Sequence, residues 1–505
     1  MTATPTAEPG HSFPAPGLRR LITFFTLVGA FMTQLDATIA NVALPSMQAS
    51  TAASREQITW VLTSYIVMAA TFTPLGGWLA GRFGRKRVFI GSMIGFTIAS
   101  ALCGLANTLD QLIAFRLLQG MLGAALLPMS QAILLDINPP ERHGSAMALW
   151  GMGAILGPIV GPVMGGWLTD NLSWRWVFYI NLPFGVLAAA GLIWLLRDVR
   201  AGRKQRLDLF GFAALAISVA SFQLMLDRGQ TLDWFQSDEI RLEALVAALA
   251  FYCFLVHSFT TRRPFVSPAV VRDTNWLVGS LLGFFLGGLM YGVMALTAPM
   301  LAVLQHMPIE QVGSAMAPRG IGLIISTWVT GQVMGRIDPR ILIVVGMAIT
   351  AGSMFLMSGV SLEMDAWLVE YAGFIQGFGG GILFVPVATI TFSTLSPDLR
   401  DEGSAVGSLV RNMGGSMWIS LLGTLTIRNE AVVHARLTEA PRPDNPLWQL
   451  RFPGIDLTTP NVAAALDGEI FRQAMMVSYA DAFWALFIVS LAFMPLVLLV
   501  KVKRS

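Results

Sequence analysis

Apolar residues in this chain run on for long stretches, broken by short polar segments rich in arginine, proline and glycine. Runs of about eighteen or more apolar residues are long enough to cross a bilayer as helices. Such runs lie near residues 21–43, 58–80, 87–106, 111–136, 144–169 and 176–196, then 208–226 and 241–259. Six more follow at 276–304, 313–335, 340–359, 366–394, 402–426 and 482–500. The pattern predicts an all-α membrane protein with fourteen transmembrane helices, and an even number of crossings puts both chain ends on one side.

Composition agrees with the pattern: 54% of the 505 residues are hydrophobic and 12% are charged, where a soluble domain carries roughly a quarter charged. Positive charge sets the orientation, because short translocated loops avoid lysine and arginine. The predicted loops on the side of the N-terminus hold 21 such residues, among them Arg19, Arg20, the RFGRKR segment at 82–87 and five between Arg197 and Arg206; Lys501, Lys503 and Arg504 lie at the other chain end. The short loops on the other side hold three, Arg55, Arg175 and Arg228, and the long loop 427–481 holds five. The N-terminus is therefore expected in the cytoplasm. Residues 1–18 are polar and proline-rich, so no cleavable leader is expected and the first span acts as an uncleaved anchor. The formal charge of +3 suits arginines facing anionic lipid rather than nucleic acid. Cys103 and Cys253 both fall in predicted spans and carry no redox information.

One span is unusual. Gly151 to Leu168 reads GMGAILGPIVGPVMGGWL, with glycine recurring every fourth position at Gly153, Gly157, Gly161 and Gly165, and with Pro158 and Pro162 between them. Each interior glycine costs a helix in water about 1 kcal/mol and each proline about 3 kcal/mol. In lipid the same stripe offers a groove without side chains where another helix can approach, and neighbours repair the bonds lost at proline. A smooth, bent helix of this kind suits a sliding interface between two halves, or tight static packing.

The chain also repeats itself. Gly77 and Gly81-Arg82 recur as Gly331 and Gly335-Arg336, Gln119-Gly120 recurs as Gln376-Gly377, and Gly144-Ser145-Ala146 recurs as Gly403-Ser404-Ala405. These echoes keep one order and nearly one spacing, at equivalent places facing the same way. They predict two parallel six-span bundles, residues 21–200 and 263–505, with two extra spans in 201–262 after a cytoplasmic segment 1–20. This 6 + 2 + 6 plan, with its pseudo-two-fold axis along the membrane normal, is similar to the major facilitator architecture.

Charged side chains inside the predicted spans are the candidate chemistry. A carboxylate in hydrocarbon is costly, so Asp36 should face the bundle interior and find a cation or a proton. At about 1.5 Å per residue it lies about 24 Å past Arg20, and Arg116 lies about 9 Å inward of Asp110. Their depths match, and a link between them that weakens when Asp36 takes a proton would bias a carrier between two states; a static ion pair that fixes helix packing is the plainer alternative. Arg411, near the middle of its span, is a candidate for the cavity together with Gln119 and Asn41, while Arg319 follows Pro318 and suits packing or snorkelling. The RFGRKR arginines either hold a gate closed or simply obey charge asymmetry. The many methionines and phenylalanines suit an adaptable cavity lining as well as lipid contact and packing.

Other chemistry is missing from the sequence. There is no GxxxxGK[ST], no HExxH among the five scattered histidines, and GMGAILG is not GxGxxG. No metal, cofactor or enzyme activity is expected. Asn171-Leu172-Ser173 is a formal glycosylation sequon lying close to the membrane.

At LDATIANVALP in the first span, RLLQG in the fourth, GPIVGPVMGGWLTDNLSWRWVFYINLPFG in the fifth and sixth, and LDRGQTLDWF between the extra pair, the chain resembles the fourteen-span drug/proton antiporters of the major facilitator superfamily, most closely the EmrB type. The resemblance covers nearly the whole chain. It implies that the glycine stripe is an antiporter motif specific to exporters, that Asp36 and Arg116 couple protons, and that Gly77, Arg82, Gly84 and Arg85 form a cytoplasmic gate. Gly81 stands where the family's gate motif has an aspartate, so this gate must close differently. The resemblance further implies export of lipophilic small molecules across the bacterial inner membrane, and a periplasmic adaptor and outer-membrane channel docking through the loop 427–481. An exporter dedicated to one metabolite, such as a siderophore or fatty acid, is the alternative on the same physics.

Overall fold

In hydrocarbon every backbone N–H and C=O must be satisfied within its own segment, which favours helices for apolar runs of this length. The computed structural model describes residues 13–196, 206–439 and 459–501, together with 441, 448 and 450, and among them it contains helices and no strand. Eleven of those helices are long and apolar enough to cross a membrane, or twelve when a helix pair bent by 53° is counted as one crossing. The protein is thus a multi-pass all-helical membrane protein. Two further long helices, 309–333 and 400–437, are too diluted with glycine, serine and charged residues to pass on composition, so the expected fourteen does not follow from apolarity alone.

The first group of helices comprises α1 (Pro16–Thr51), α2 (Arg55–Phe72), α3 (Leu75–Phe83), α4 (Arg85–Leu105), α5 (Leu109–Gly123), α6 (Leu126–Ile137), α7 (His143–Asn171), the short α8 (Trp176–Tyr179) and α9 (Asn181–Leu195). Here the single run 58–80 is the bent pair α2 and α3, broken at Thr73–Pro74, and the run 111–136 is divided into α5 and α6. Next come α10 (Leu209–Arg228), α11 (Asp238–Thr260) and the short α12 (Pro268–Arg272). The second group is α13 (Thr274–Pro299), α14 (Ile309–Val333), α15 (Pro339–Met357), α16 (Ala366–Ile390), α17 (Arg400–Leu437) and α18 (Pro460–Phe493). α17 and α18 extend well into the stretch 427–481 that the hydropathy pattern leaves as a loop, because their outer turns are helical but polar. The middle of that loop, the basic residues at 197–205, Lys503, Arg504 and residues 1–12 lie outside the described residues.

Two of the three sequence echoes, Gly77/Gly331 and Gly144-Ser145-Ala146/Gly403-Ser404-Ala405, sit on the seam between the groups, while Gly120 and Gly377 pack within their own. A methyl group at Gly77 would meet Glu402 Cα at 3.0 Å, and one at Gly331 would meet Ala148 Cβ at 2.6 Å. Ser145 Oγ donates to the Gly331 carbonyl at 3.1 Å, and Ser404 Oγ donates to the Pro128 carbonyl at 2.9 Å. Gly77 against the start of α17 thus mirrors Gly331 against the start of α7, as an approximate two-fold axis requires. Trp150 of α7 stacks on Phe384 of α16, with centroids 5.7 Å apart, and extends the seam inward.

The glycine stripe packs elsewhere. A methyl group at Gly153 would meet Leu27 at 3.1 Å, at Gly157 the Leu35 amide at 2.6 Å and at Gly165 the Ile39 carbonyl at 2.8 Å, while Gly161 abuts Thr38. All four face α1 in the same group, so the expected sliding surface between halves is instead the close contact that seats α1. Gly144 and Gly151 of the same helix face the second group, against Met334 and Phe384. α10 touches both groups: Asp227 accepts a hydrogen bond from Thr63 of α2, while Gln223 Nε2 donates to Ser416 Oγ of α17 at 3.0 Å.

Adding bulk to the stripe should therefore unseat α1. Gly157→Leu is expected to lower the detergent-solubilised Tm by an amount corresponding to about 1–3 kcal/mol or more, the usual cost of overpacking. Gly166→Ala, whose new methyl would find only Val42 at 3.9 Å, is expected to leave Tm unchanged. Equal Tm values for the two variants would remove this account of the stripe.

Candidate functional site

Thr108 caps α5 by accepting from the Gln111 amide at 3.3 Å, and this start places Arg116 two turns inside. Small residues along α1, including Gly29, Ala30, Ala40 and Ala43, let neighbours crowd the helix around Asp36. Both charged side chains are 0% exposed. Arg116 Nη1 meets Asp36 Oδ2 at 2.6 Å, and Asp36 Oδ1 accepts from Gln119 Nε2 at 2.9 Å and Asn181 Nδ2 at 3.0 Å. The expected pair is thus direct, and the carboxylate has three donors.

The cation is held as closely. Arg116 Nε donates to the Val61 carbonyl at 3.0 Å and Nη1 also reaches Gln119 Oε1 at 2.8 Å, while Cζ lies 4.2 Å from the Tyr65 ring centroid. Among the described residues Nη2 has no hydrogen-bond partner. Asn181 in turn donates to Ser100 Oγ at 3.1 Å. Five helices, α1, α2, α4, α5 and α9, therefore converge on one acid–base pair. Two residues before Asp36, Gln34 Nε2 donates to the Tyr291 hydroxyl of α13 at 2.8 Å and links the pair's own helix to the second group.

A second charged cluster closes the arginine-rich end. Arg85, at the start of α4, pairs with Asp136 at the end of α6, and its Nε reaches Asp401 Oδ1 of α17 at 2.7 Å and Oδ2 at 2.8 Å. Asp136 lies in the first group and Asp401 in the second, so Arg85 ties the two together. Gly84, with φ +89°, makes the tight turn between α3 and α4 that aims Arg85 at the seam. Arg82 turns aside and its Cζ lies 5.6 Å from the Trp78 ring centroid. Position 81 is glycine, and the acids that Arg85 meets come from α6 and α17.

Of the residues expected in a cavity, Gln119 belongs to the Asp36 network and Asn41 is exposed on α1 beyond it. Arg411 lines a pocket at the seam, its Cζ 5.4 Å from the Trp150 ring centroid. Arg319 does not snorkel: Nη2 turns inward to the Leu289 and Met290 carbonyls at 3.2 and 2.7 Å. Sequence reasoning missed Asn181, Tyr65 and Ser100. Asn181 was visible as a lone amide in an apolar span, by the same cost argument that singles out Asp36.

Removing one member of the buried pair should cost more than removing both charges. Arg116→Gln alone is expected to destabilise by about 3–5 kcal/mol because it strands the carboxylate, and Asp36→Asn/Arg116→Gln is expected to recover much of that. Thermal unfolding of the purified variants measures it, and additive losses would mean that the two charges do not depend on each other.

Comparison with known proteins identifies the family and the fold. The Major Facilitator Superfamily model matches residues 26–419. The chain is 35% identical over 479 residues to the multidrug export protein EmrB of Escherichia coli strain K12, covering 93% of each chain. It is 34% identical over 421 residues to the fatty acid resistance protein FarB of Neisseria gonorrhoeae, covering 83% of each. The crystal structure of the human organic anion transporter MFSD10 superposes with a TM-score of 0.61 at 14% identity, covering 94% of this chain and 100% of that one, a likeness of fold. A helical fold with two groups meeting at a mirrored seam, matched over nearly its whole length by these relatives, makes this chain a member of the major facilitator superfamily, of the EmrB type.

Proposed function

We propose that the protein is a proton-coupled multidrug exporter of the bacterial inner membrane, exchanging lipophilic small molecules for protons by alternating access. The observation that carries this reading is the buried Asp36–Arg116 pair, two residues along α1 from the Gln34–Tyr291 link to the other group. A proton on Asp36 removes the charge that Arg116 answers and turns one carboxylate oxygen from acceptor to donor. Arg116 then keeps Gln119, the Val61 carbonyl and the Tyr65 ring, while α1 is released from its strongest tie. The free energy of that change biases the seam, and the substrate site opens to the other side.

On this reading α14 and α17 also cross the membrane, which brings the total to fourteen in a 6 + 2 + 6 arrangement with both termini cytoplasmic. Support comes from their length and from their tight packing, Gly322 of α14 against α16 and Gly287 of α13 against α17. The arginine-rich end is then cytoplasmic, and Arg85 with Asp136 and Asp401 is the closed inner gate. EmrB is named for multidrug export and FarB for fatty acid resistance, and the second name favours a dedicated metabolite exporter as the second reading. A periplasmic adaptor and outer-membrane channel would dock at the outer turns of α17 and α18.

Proteoliposomes with an imposed pH gradient and a panel of lipophilic substrates test direction, coupling and breadth together. Wild-type protein is expected to accumulate several unrelated compounds against their gradients. Asp36→Asn is expected to lose uphill transport and substrate-driven proton movement while still binding substrate. Full coupled transport by that variant overturns the proton role, and transport of a single compound class selects the dedicated exporter.

A further inference from the structure

A carboxylate takes donors on both oxygens, but its acid form carries an O–H that needs an acceptor. Asp36 Oδ2 faces the Arg116 guanidinium at 2.6 Å, so the oxygen open to a proton is Oδ1, which meets the amides of Gln119 and Asn181. Gln119 Oε1 is already taken, accepting from Arg116 Nη1 at 2.8 Å and from the Cys103 thiol at 3.5 Å. Asn181 Oδ1 is buried and, among the described residues, has no hydrogen-bond partner. A buried amide oxygen without a donor is costly, and a new O–H beside it would remove that cost.

Asn181 is placed to supply the acceptor. It opens α9 directly after the short α8 and is 0% exposed. Its Nδ2 serves two acceptors, Asp36 Oδ1 at 3.0 Å and Ser100 Oγ of α4 at 3.1 Å, and Ser100 Oγ in turn donates to the Phe178 carbonyl of α8 at 2.8 Å. A half-turn of the amide about its Cβ–Cγ bond exchanges nitrogen and oxygen in place, so the same side chain then offers an acceptor to both. The other charged or titratable groups around the acid are Arg116 of α5, Tyr65 of α2, Cys103 of α4 and, beyond Gln34, Tyr291 of α13. Of these Arg116 bonds the carboxylate, and it does so on Oδ2.

We propose that Asn181 is a positioning residue that answers both forms of Asp36: Nδ2 donates to the charged carboxylate, and on protonation the amide turns over so that Oδ1 accepts from the new O–H. One proton arrives on Asp36 Oδ1, and otherwise only hydrogen bonds are exchanged. The turn withdraws Nδ2 from Ser100 as well, and the serine hydroxyl swings from the Phe178 carbonyl to the amide oxygen. The joint between α8 and α9 thereby registers the state of α1. That Asp36 takes a proton during transport rests on the exporter reading; that Asn181 follows the proton does not.

Infrared difference spectroscopy on the full chain in liposomes follows, across pH, the carboxylic C=O band that Asp36→Asn abolishes. In Asn181→Ala the band is expected to half-form about one pH unit higher than in wild type, because a donor lost from a charged group outweighs an acceptor lost from a neutral one. Ser100→Ala, which reaches Asp36 through Asn181, is expected to move it the same way by less. The Asn181 amide band, assigned by its loss in Asn181→Ala, is expected to shift in step with the Asp36 band. An Asp36 band at the wild-type pH in Asn181→Ala, whatever that variant does to Tm, overturns the proposal, as does an amide band that ignores the proton or an Asp36 band absent from both proteins. Should Asn181→Ala fail to assemble, an unmoved band in Ser100→Ala overturns it. Full coupled transport by Asp36→Asn, with a band that depends on Asn181, removes the exporter's proton role alone; lost coupling with a band indifferent to Asn181 removes this assignment alone.

Discussion

A carboxylate and a guanidinium held together away from water constrain everything around them. Neither can stay charged in the membrane interior without the other, so the helices that carry them cannot drift apart independently. Asp36 and Arg116 recruit Gln119, Asn181 and the Val61 carbonyl, and through these α1, α2, α5 and α9 are fixed at one depth. The glycine stripe of α7 serves the same end from the other side, by letting α1 sit close enough for the network to close. The glycine stripe and the charged pair, distant in sequence, therefore grip the same helix.

The internal repeat makes the contrast between the two groups informative. Gly120 abuts the Tyr65 carbonyl and Gly377 abuts the Arg319 carbonyl, so residues 65 and 319 occupy matching places. In the first group a cation from α5 lies over Tyr65. In the second the cation comes from α14 itself, and Gly373 leaves room for it, with a methyl group there 3.6 Å from Arg319 Cβ. Arg319 is answered by backbone carbonyls, whereas Arg116 is answered by a carboxylate. One half thus holds a buried acid–base pair where the other holds a cation answered by backbone dipoles.

The broad plan was legible in the sequence because bilayer thickness acts on long windows, and single residues hardly disturb it. Asp36 and Arg116 were legible because a charge in oil has few alternatives, whereas Gln119, read as a cavity residue, joins their buried network instead. Edges failed where apolarity and helicity part company: the polar outer turns of α17 and α18 are helical, and Thr73–Pro74 breaks one run into two helices. Asp401 was hidden as a partner of Arg85 because the two meet across 316 residues of chain. Of the two readings of the stripe the structure shows the tight packing, and the partner is α1 rather than the other half, because glycine spacing reveals a close approach but not which neighbour makes it.

Arg85 has two acids and Asp401 has more than one means of support. When the groups separate at that end, Arg85 retains Asp136, and Asp401 remains in the first turn of α17, where the unpaired amides of a helix start favour negative charge. Neither charge is orphaned by the separation, and incoming water meets both. The contact is thus less a lock than a hand-over, because each ion has a second favourable place to rest were the two groups to part there.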